Sequence, residues 1–499
     1  MTQAAPPLEP LEPAQEPALE EVPSHRDDFV GRATSGLLGG RWGRHAGVKP
    51  NGWWTPIRVL LALTCFTLLL GFAQKSPCMT GNWPGNKQYT HACYSDIVPL
   101  WHDERLDVGA VPYRDTAVEY PVLTGGFMWL TADLTRGAHA LTDRFTELTD
   151  FTILSSLLLG ICALLVTLAT ARAAGRRPYD AAIFALSPLL VFHAFTNWDL
   201  LAMALTSGAM WAWVRKKPVL AGVFIGLGTA AKLYPVFLFV GLLVIAWRNR
   251  RWADTGWTLL AAAASWCAVN VPLALAYHHG WWEFYDFSIS RPAERSSLWA
   301  VVHTAFTGPG LDQPDAPYWV PPGPAVALLL TALLLFVVWC GLRARVTPTL
   351  AQLAFLAVLA FLLTTKVWSP QYSLWLVPLI ALARPKWRLQ LIWQFSEVAV
   401  WIVTLQLLLH LDPNNTAHGV DYGWLALLLI IRDGLLLALA GLVIRDMWRP
   451  PEPAIEEDDA ALTPRFGLRP RPRVPWGGCS SRPTGEAPPV VEVPRPISP

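Results

Sequence analysis

Apolar runs of roughly 16 to 24 residues recur from about residue 57 to about residue 445. Each is near the roughly 20 residues that a helix needs to cross the hydrocarbon of a bilayer, where only a backbone that satisfies its own polar groups can pass. Composition agrees: 53% of the 499 residues are hydrophobic and 15% are charged, with 26 Trp, a mixture too apolar for an ordinary soluble domain of this size. The expected fold class is an all-α polytopic membrane bundle.

Charge placement orients it. The formal net charge of +2, from 39 basic and 37 acidic residues, decides little. The positions of Lys and Arg decide more, because they gather in alternate short connections and such connections stay in the cytoplasm. The clusters are Arg41, Arg44, Lys49 and Arg58; Arg172, Arg176 and Arg177; Arg215, Lys216 and Lys217; Arg248, Arg250 and Arg251; Arg343 and Arg345; Arg384, Lys386 and Arg388; Arg445 and Arg449. Threading the chain between them predicts about 12 spans with both termini inside: 57–73, 148–171, 180–196, 198–214, 218–231, 235–247, 257–276, 323–342, 349–365, 371–383, 389–410 and 423–444. The apolar stretch from Tyr120 to Leu134 breaks the alternation, since as a span it would carry Arg176 outside. It reads instead as a juxtamembrane helix on the outer surface, with Trp129 at the interface.

A transmembrane domain is thus expected over 53–446, with a first outer loop at 74–147 and a large outer loop at 277–321. The tails, 1–52 and 447–499, carry Pro and charge without periodicity and are expected to be disordered and cytoplasmic. No cleavable leader is expected, because the first long apolar run is long enough to stay as an anchor. Cys65, Cys162, Cys267 and Cys340 fall in the expected spans and Cys479 in the tail. Cys78 and Cys93 share the first outer loop, where an oxidising exterior favours a disulfide over two free thiols.

Four polar constellations fall at outward turns. The first is Asp96 in Tyr94-Ser95-Asp96, with Asp103, Glu104, Arg105, Asp107, Arg114, Asp115 and Glu119 downstream. Most of these read as solvated loop charges, but Asp96 lies between a helix end and the apolar pair Ile97 and Val98, as a catalytic base at the membrane surface would. The second is Asn197-Trp198-Asp199, either a polar cavity lining or a helix cap. The third is Lys232-Leu233-Tyr234-Pro235. The 17 positions from Arg215 to Lys232 carry it about 25 Å along a helix, just short of the outer headgroups. A lysine there either snorkels to the interface or meets an anion, for which a lipid phosphate would serve. The adjacent helix break favours the phosphate, because non-helical backbone at this depth lines a cavity. The fourth is Lys366-Val367-Trp368-Ser369-Pro370-Gln371-Tyr372, which with Arg291, Glu294, Arg295 and Ser297 offers groups for sugar hydroxyls or a second anion. Trp281, Trp282, Phe284, Tyr285 and Trp299 suit sugar rings or isoprenoid chains, or anchor the interface.

These motifs, with Val111-Pro112-Tyr113 and Glu119-Tyr120-Pro121, make the stretch from about 57 to 445 resemble the actinobacterial members of glycosyltransferase family 87. Those are sugar transferases of the GT-C superfamily, typified by polyprenol-phosphate-mannose-dependent α-mannosyltransferases. The resemblance implies a GT-C-like bundle with an outer juxtamembrane helix and a polyprenyl-phosphate sugar as donor. It further implies a glycolipid or glycan acceptor of the cell envelope and an inverting reaction outside the cytoplasm. Carried over, Asp96 is the base; Lys232, Tyr234 and Arg291 hold the donor phosphate; Glu119, Asn197, Asp199, Lys366, Gln371 and Tyr372 are substrate-binding candidates. Membrane lipids are the other expected partners, and nucleic acid is not one. No cofactor is implied, and no His or Cys cluster has zinc-like spacing, so no metal is expected. The sugar is mannose or a pentose on the same lipid. A multi-span lipid or sugar transporter, or flippase, is the alternative; it calls for an internal repeat and charges near the midplane, and the sequence reading finds neither.

Overall fold

A computed structural model describes residues 53–142, 144–307, 321–412 and 419–449. The expected disordered tails, apart from 447–449, and part of the large outer loop lie outside the described residues. Every regular element among the described residues is a helix.

Helix α1 (Pro56–Lys75) starts where Pro56 fixes the first turn and the Thr55 hydroxyl accepts from the Arg58 amide. A short helix, α2 (Ile97–Asp103), follows in the first outer loop, and Cys78 and Cys93 in that loop are joined by a disulfide. Pro121 precedes α3 (Val122–His139), which covers the stretch read as a surface helix. Helix α4 (Glu147–Ala173) begins at Thr146, whose hydroxyl accepts from the Thr149 amide.

The expected span 180–196 is not one helix. It is a 3-10 turn at Pro178–Ala181, a single turn at Ala182–Ala185 and the short α5 (Pro188–His193). Pro188 lacks the amide that would continue the helix, and it drives Ser187 into an extended conformation. The chain then forms α6 (Asp199–Val214), α7 (Pro218–Ala231), α8 (Leu238–Asn249) and α9 (Trp252–Ala276). The large outer loop contributes α10 (His278–Ser290) and α11 (Leu298–Thr307). Last come α12 (Gly323–Arg343), α13 (Leu350–Thr364), α14 (Leu376–Ala383), α15 (Trp387–His410) and α16 (Tyr422–Trp448).

Six stretches among the described residues are long and apolar enough to cross a membrane: Pro56–Cys78, Glu147–Ala173, Trp252–Ala276, Gly323–Arg343, Trp387–His410 and Tyr422–Trp448. The other expected spans are shorter apolar helices or the broken segment, so the number of crossings is not fixed by helix length. Burial separates the helices into two kinds. Helix α13 buries most of its side chains, whereas α9 and α12 expose Trp257, Leu259, Leu260, Leu328, Leu335 and Phe336. Apolar side chains turned outward on long helices are what a lipid solvent permits and water penalises.

Candidate active site

Four sequence-distant turns are tied together by hydrogen bonds that leave their polar side chains facing inward. The Ser95 hydroxyl donates to the Phe195 carbonyl at 2.7 Å and the Asp96 amide to the Thr196 carbonyl at 2.8 Å, which fixes Tyr-Ser-Asp against Asn-Trp-Asp. The Tyr113 hydroxyl donates towards the Tyr120 and Pro121 carbonyls, at 3.0 and 2.9 Å, and so sets the start of α3 beside them. From α3, the Thr124 hydroxyl donates to the Ala231 carbonyl at 2.7 Å, next to Lys232. The Glu294 amide donates to the Lys366 carbonyl at 2.8 Å and the Ser296 hydroxyl to the Trp368 carbonyl at 2.6 Å, joining loop 291–297 to turn 366–372.

Asp96 sits at the centre. Its Oδ2 accepts from Asn197 Nδ2 at 2.8 Å, with Gln371 Nε2 at 3.5 Å, and the Asn197 amide also donates to the Tyr120 hydroxyl at 2.8 Å. Burial raises the Asp96 carboxyl above the ordinary aspartate range; bonds from Asn197 and Tyr94 and the charge of Lys232 oppose that without cancelling it. Lys232 Nζ lies 3.5 Å from Asp199 Oδ1 and stands over the rings of Tyr120 and Tyr372, at 4.9 and 5.5 Å from their centroids. Burial works against its charge, but Asp199, Tyr372 and Asp96 outweigh burial and raise its pKa. Tyr234, Trp375 and Tyr372 form a stack, with centroid separations of 4.4 and 4.2 Å. The Trp375 indole donates to Asp199 at 3.0 Å, so the stack and the ion pair brace each other.

Arg291 and Glu294 also line the cavity. The Ser369 hydroxyl lies 3.2 and 3.1 Å from the two Glu294 carboxylate oxygens. Burial raises the pKa of Glu294, against the pull of Arg291 and Ser369, and it raises that of Glu119 against the pull of Arg291. Burial disfavours the Arg291 charge, and Glu294, Tyr372 and Glu119 more than restore it. A cavity of about 1130 Å³ opens between these groups. Its polar lining includes Asp96, Glu119, Asn197, Lys232, Tyr234, Arg291, Lys366, Gln371 and Tyr372, and another stretch is apolar, from Val326, Ala327, Leu330, Phe361, Leu405 and Leu408.

Of the base and the donor- and substrate-binding residues that the family resemblance implies, Asp199 alone does not line the cavity; it stands behind Lys232 as its ion-pair partner, and Arg295, Ser297, Trp281, Trp282, Tyr285 and Trp299 of the large outer loop do not line it either. The lysine that called for an anion therefore has a carboxylate of its own chain. Asp199 makes no cap bond to the helix it begins. Lys366 turns its ammonium to the Ile289 carbonyl at 2.6 Å, and Ser297 bonds the Glu294 carbonyl at 2.7 Å. Sequence reasoning missed Lys75, buried at the end of α1, which donates to the Tyr94 carbonyl at 2.6 Å and lies 4.9 Å from the Trp401 ring. It also missed Glu397, Arg432 and Asp433, buried within α15 and α16. The reading that charge gathers only at outward turns is corrected by Glu397, Arg432 and Asp433; lone charges inside apolar helices were the available signal. Among the described residues, no three His, Cys, Asp or Glu side chains come together as ion ligands.

No curated protein sequence matches the chain significantly. Among solved structures the chain is similar to an archaeal oligosaccharyltransferase, AglB from Archaeoglobus fulgidus, determined in complex with an inhibitory peptide and a dolichol-phosphate. The identity is 11% and the TM-score 0.36, over 80% of this chain and 57% of that one, so this chain spans little more than half the length of that protein. The family model described as glycosyltransferase family 87 matches residues 138–370, a segment that holds Asn197, Asp199, Lys232, Tyr234, Arg291, Glu294 and Lys366 and stops short of Gln371. Over that segment the chain matches the family that its motifs resemble.

Proposed function

We propose that the chain is an inverting membrane glycosyltransferase that moves mannose from a polyprenyl-phosphate donor to a glycolipid or glycan acceptor at the extracytoplasmic face. The observation that carries this reading is one cavity that holds a half-buried carboxylate, two cations and an apolar wall: Asp96, Lys232 with Arg291, and the side chains of α12, α13 and α15.

The chemistry asks for each of these. Asp96 takes the proton of the acceptor hydroxyl as that oxygen bonds to the anomeric carbon. The bond from that carbon to the phosphate oxygen breaks, and its electron pair leaves on the lipid phosphate. Lys232 and Arg291 offset the charge that grows there, in surroundings where water does little to screen it. Attack opposite the leaving group converts a β-linked donor into an α-linked product. Asp199 keeps Lys232 charged and in place, Asn197 orients Asp96, and the apolar wall accepts isoprene units of the donor.

The test is to incubate membranes containing the protein with radiolabelled polyprenyl-phosphate mannose and, in parallel, with the corresponding pentose lipid. Label should pass from the mannose lipid to an extractable glycolipid or glycan, and Asp96→Asn should abolish that transfer. Transfer from the pentose lipid alone would overturn mannose. Equal transfer by the folded Asp96→Asn protein would overturn the site.

A further inference from the structure

Arg432 lies ten residues, about 15 Å, along α16 from Tyr422, in a helix otherwise apolar enough to cross a membrane. It is fully buried. A buried guanidinium at such a place is expensive unless its surroundings use it. Here its carbon centre stands 3.7 Å from the centroid of the Trp368 ring, Nη2 donates to the Ser296 carbonyl at 3.3 Å, and Nε donates to Asp433 at 2.9 Å.

Both outer contacts belong to cavity-bearing segments. Ser296 ends the loop that carries Arg291 and Glu294, and Trp368 sits in the turn that carries Ser369, Gln371 and Tyr372. The Ser296 hydroxyl closes the triangle by donating to the Trp368 carbonyl at 2.6 Å. From the ring of Trp368 the network continues: its indole donates to Ser373 at 3.1 Å, Ser373 is bonded to Glu397, and the Trp393 indole donates to Glu397 at 2.9 Å. The part of the cavity wall formed by loop 291–297 and turn 366–372 thus rests on a flat cation from α16 and a carboxylate from α15, both beyond the family-matched segment.

We propose that Arg432 is a positioning residue that locks loop 291–297 onto turn 366–372 and thereby aims Arg291, Glu294 and Gln371 into the cavity. Only arginine meets the geometry, since a planar group must stack on an indole and reach a carbonyl and a carboxylate at once. The lock stands on the contacts above; its part in catalysis rests on the donor reading given under Proposed function.

Hydrogen exchange on the full-length protein in nanodiscs tests the lock without turnover. In Arg432→Lys, amide exchange over 291–297 and 366–372 should accelerate about tenfold or more, while 94–98 and 196–199 keep the parent rates. If Arg432→Lys does not fold, Trp368→Leu, which removes the stacking face, should give the same selective pattern. Unchanged exchange in both segments, or equal acceleration in all four, would overturn the lock. Equilibrium binding of polyprenyl monophosphate then tests the consequence by double-mutant cycles. Arg432→Lys should be strongly non-additive with Arg291→Lys and additive with Lys232→Met; additivity with both would overturn the claim that Arg432 acts through Arg291. If exchange behaves as expected and the parent does not bind polyprenyl monophosphate, the donor reading fails and the lock stands.

Discussion

At the residue scale, the raised pKa of Asp96 gives the site a pH signature. The base works only when unprotonated, so turnover should rise as pH climbs through its pKa, and that limb should lie above the ordinary aspartate value of about 4. Lys232 lowers that pKa, so Lys232→Met should move the acid limb of the residual activity to higher pH and weaken donor binding; a limb that moved down would mean that another group titrates. Asp96→Asn should cost at least about 10²-fold in kcat with little change in donor affinity. Glu104 offers a stability test. It accepts the Glu119 amide, and burial, then the charge of Glu119, pushes it up from 4.5 to about 7. The folded chain therefore holds this proton more tightly than the unfolded one, and stability falls as pH rises between those values. Glu104→Gln should raise Tm at pH 8 and leave it nearly unchanged at pH 4.5, and a lower Tm at pH 8 would refute the sign. Most of the charged residues of the cavity could be read from short motifs at outward turns, because polar groups at membrane depth are costly and therefore informative. The partners of those residues could not be read: nothing in Asn-Trp-Asp or Lys-Leu-Tyr-Pro says that Asp199 and Lys232 meet, because that contact depends on how α6 and α7 pack.

At the element scale, α7 and α9 approach too closely for side chains between them. A Cβ on Gly222 would run into the Thr258 carbonyl, and one on Gly226 into the Ala262 carbonyl and the Ser265 hydroxyl. Small residues four apart let helices touch backbone to backbone in lipid, where packing supplies much of the association energy. Lys232 follows directly after α7, so the contact also fixes the depth of the cation. Gly226→Val should lower Tm by several degrees in detergent and weaken polyprenyl-phosphate binding with it. Gly256→Val, where a Cβ would meet nothing within 4 Å, should do neither. A Gly226→Val protein as stable as the parent would show that the two helices can separate. Helix positions were largely legible from apolar runs and charge clusters, since lipid imposes length and internal hydrogen bonding. The breaks within 178–193 were not, because the apolar stretch 181–186 has no periodicity to show one, and Pro178 and Ser187-Pro188 were the signals of interruption. The helices of the large outer loop were missed for other reasons: α10 mixes aromatic and polar residues as loops do, and α11, at 10 residues, is too short to stand out as a span.

At the scale of the whole molecule, the cavity restricts how the chain can be threaded. Asp96, Glu119, Asn197, Lys232, Arg291 and Tyr372 all reach it, so wherever membrane-embedded helices lie between two of them the chain must leave and return. Helices α6 and α7 do so around Arg215, Lys216 and Lys217; the pair that ends in α8 and begins with α9 does so around Arg250; α12 and α13 do so around Arg343 and Arg345. The basic turns therefore fall at the ends of helices remote from the cavity, the arrangement that the positive-inside rule requires of the extracytoplasmic site proposed above. Between Pro121 and Asn197 the same logic needs one outward and one inward passage, supplied by α4 and the broken segment, and leaves α3 lying along the surface. Single cysteines placed at 85 and 290 in a background free of Cys65, Cys162, Cys267, Cys340 and Cys479 should then react with an impermeant maleimide on intact cells. Cysteines at 174 and 250 should react only after the membrane is opened. The Cys78–Cys93 pair can remain in that background, because a disulfide does not react, and mass spectrometry of unreduced protein should recover the peptide that links them. Labelling of position 174 from outside would make α3 a true span and place Asn197 on the opposite face from Asp96, which the 2.8 Å hydrogen bond between those two side chains does not allow.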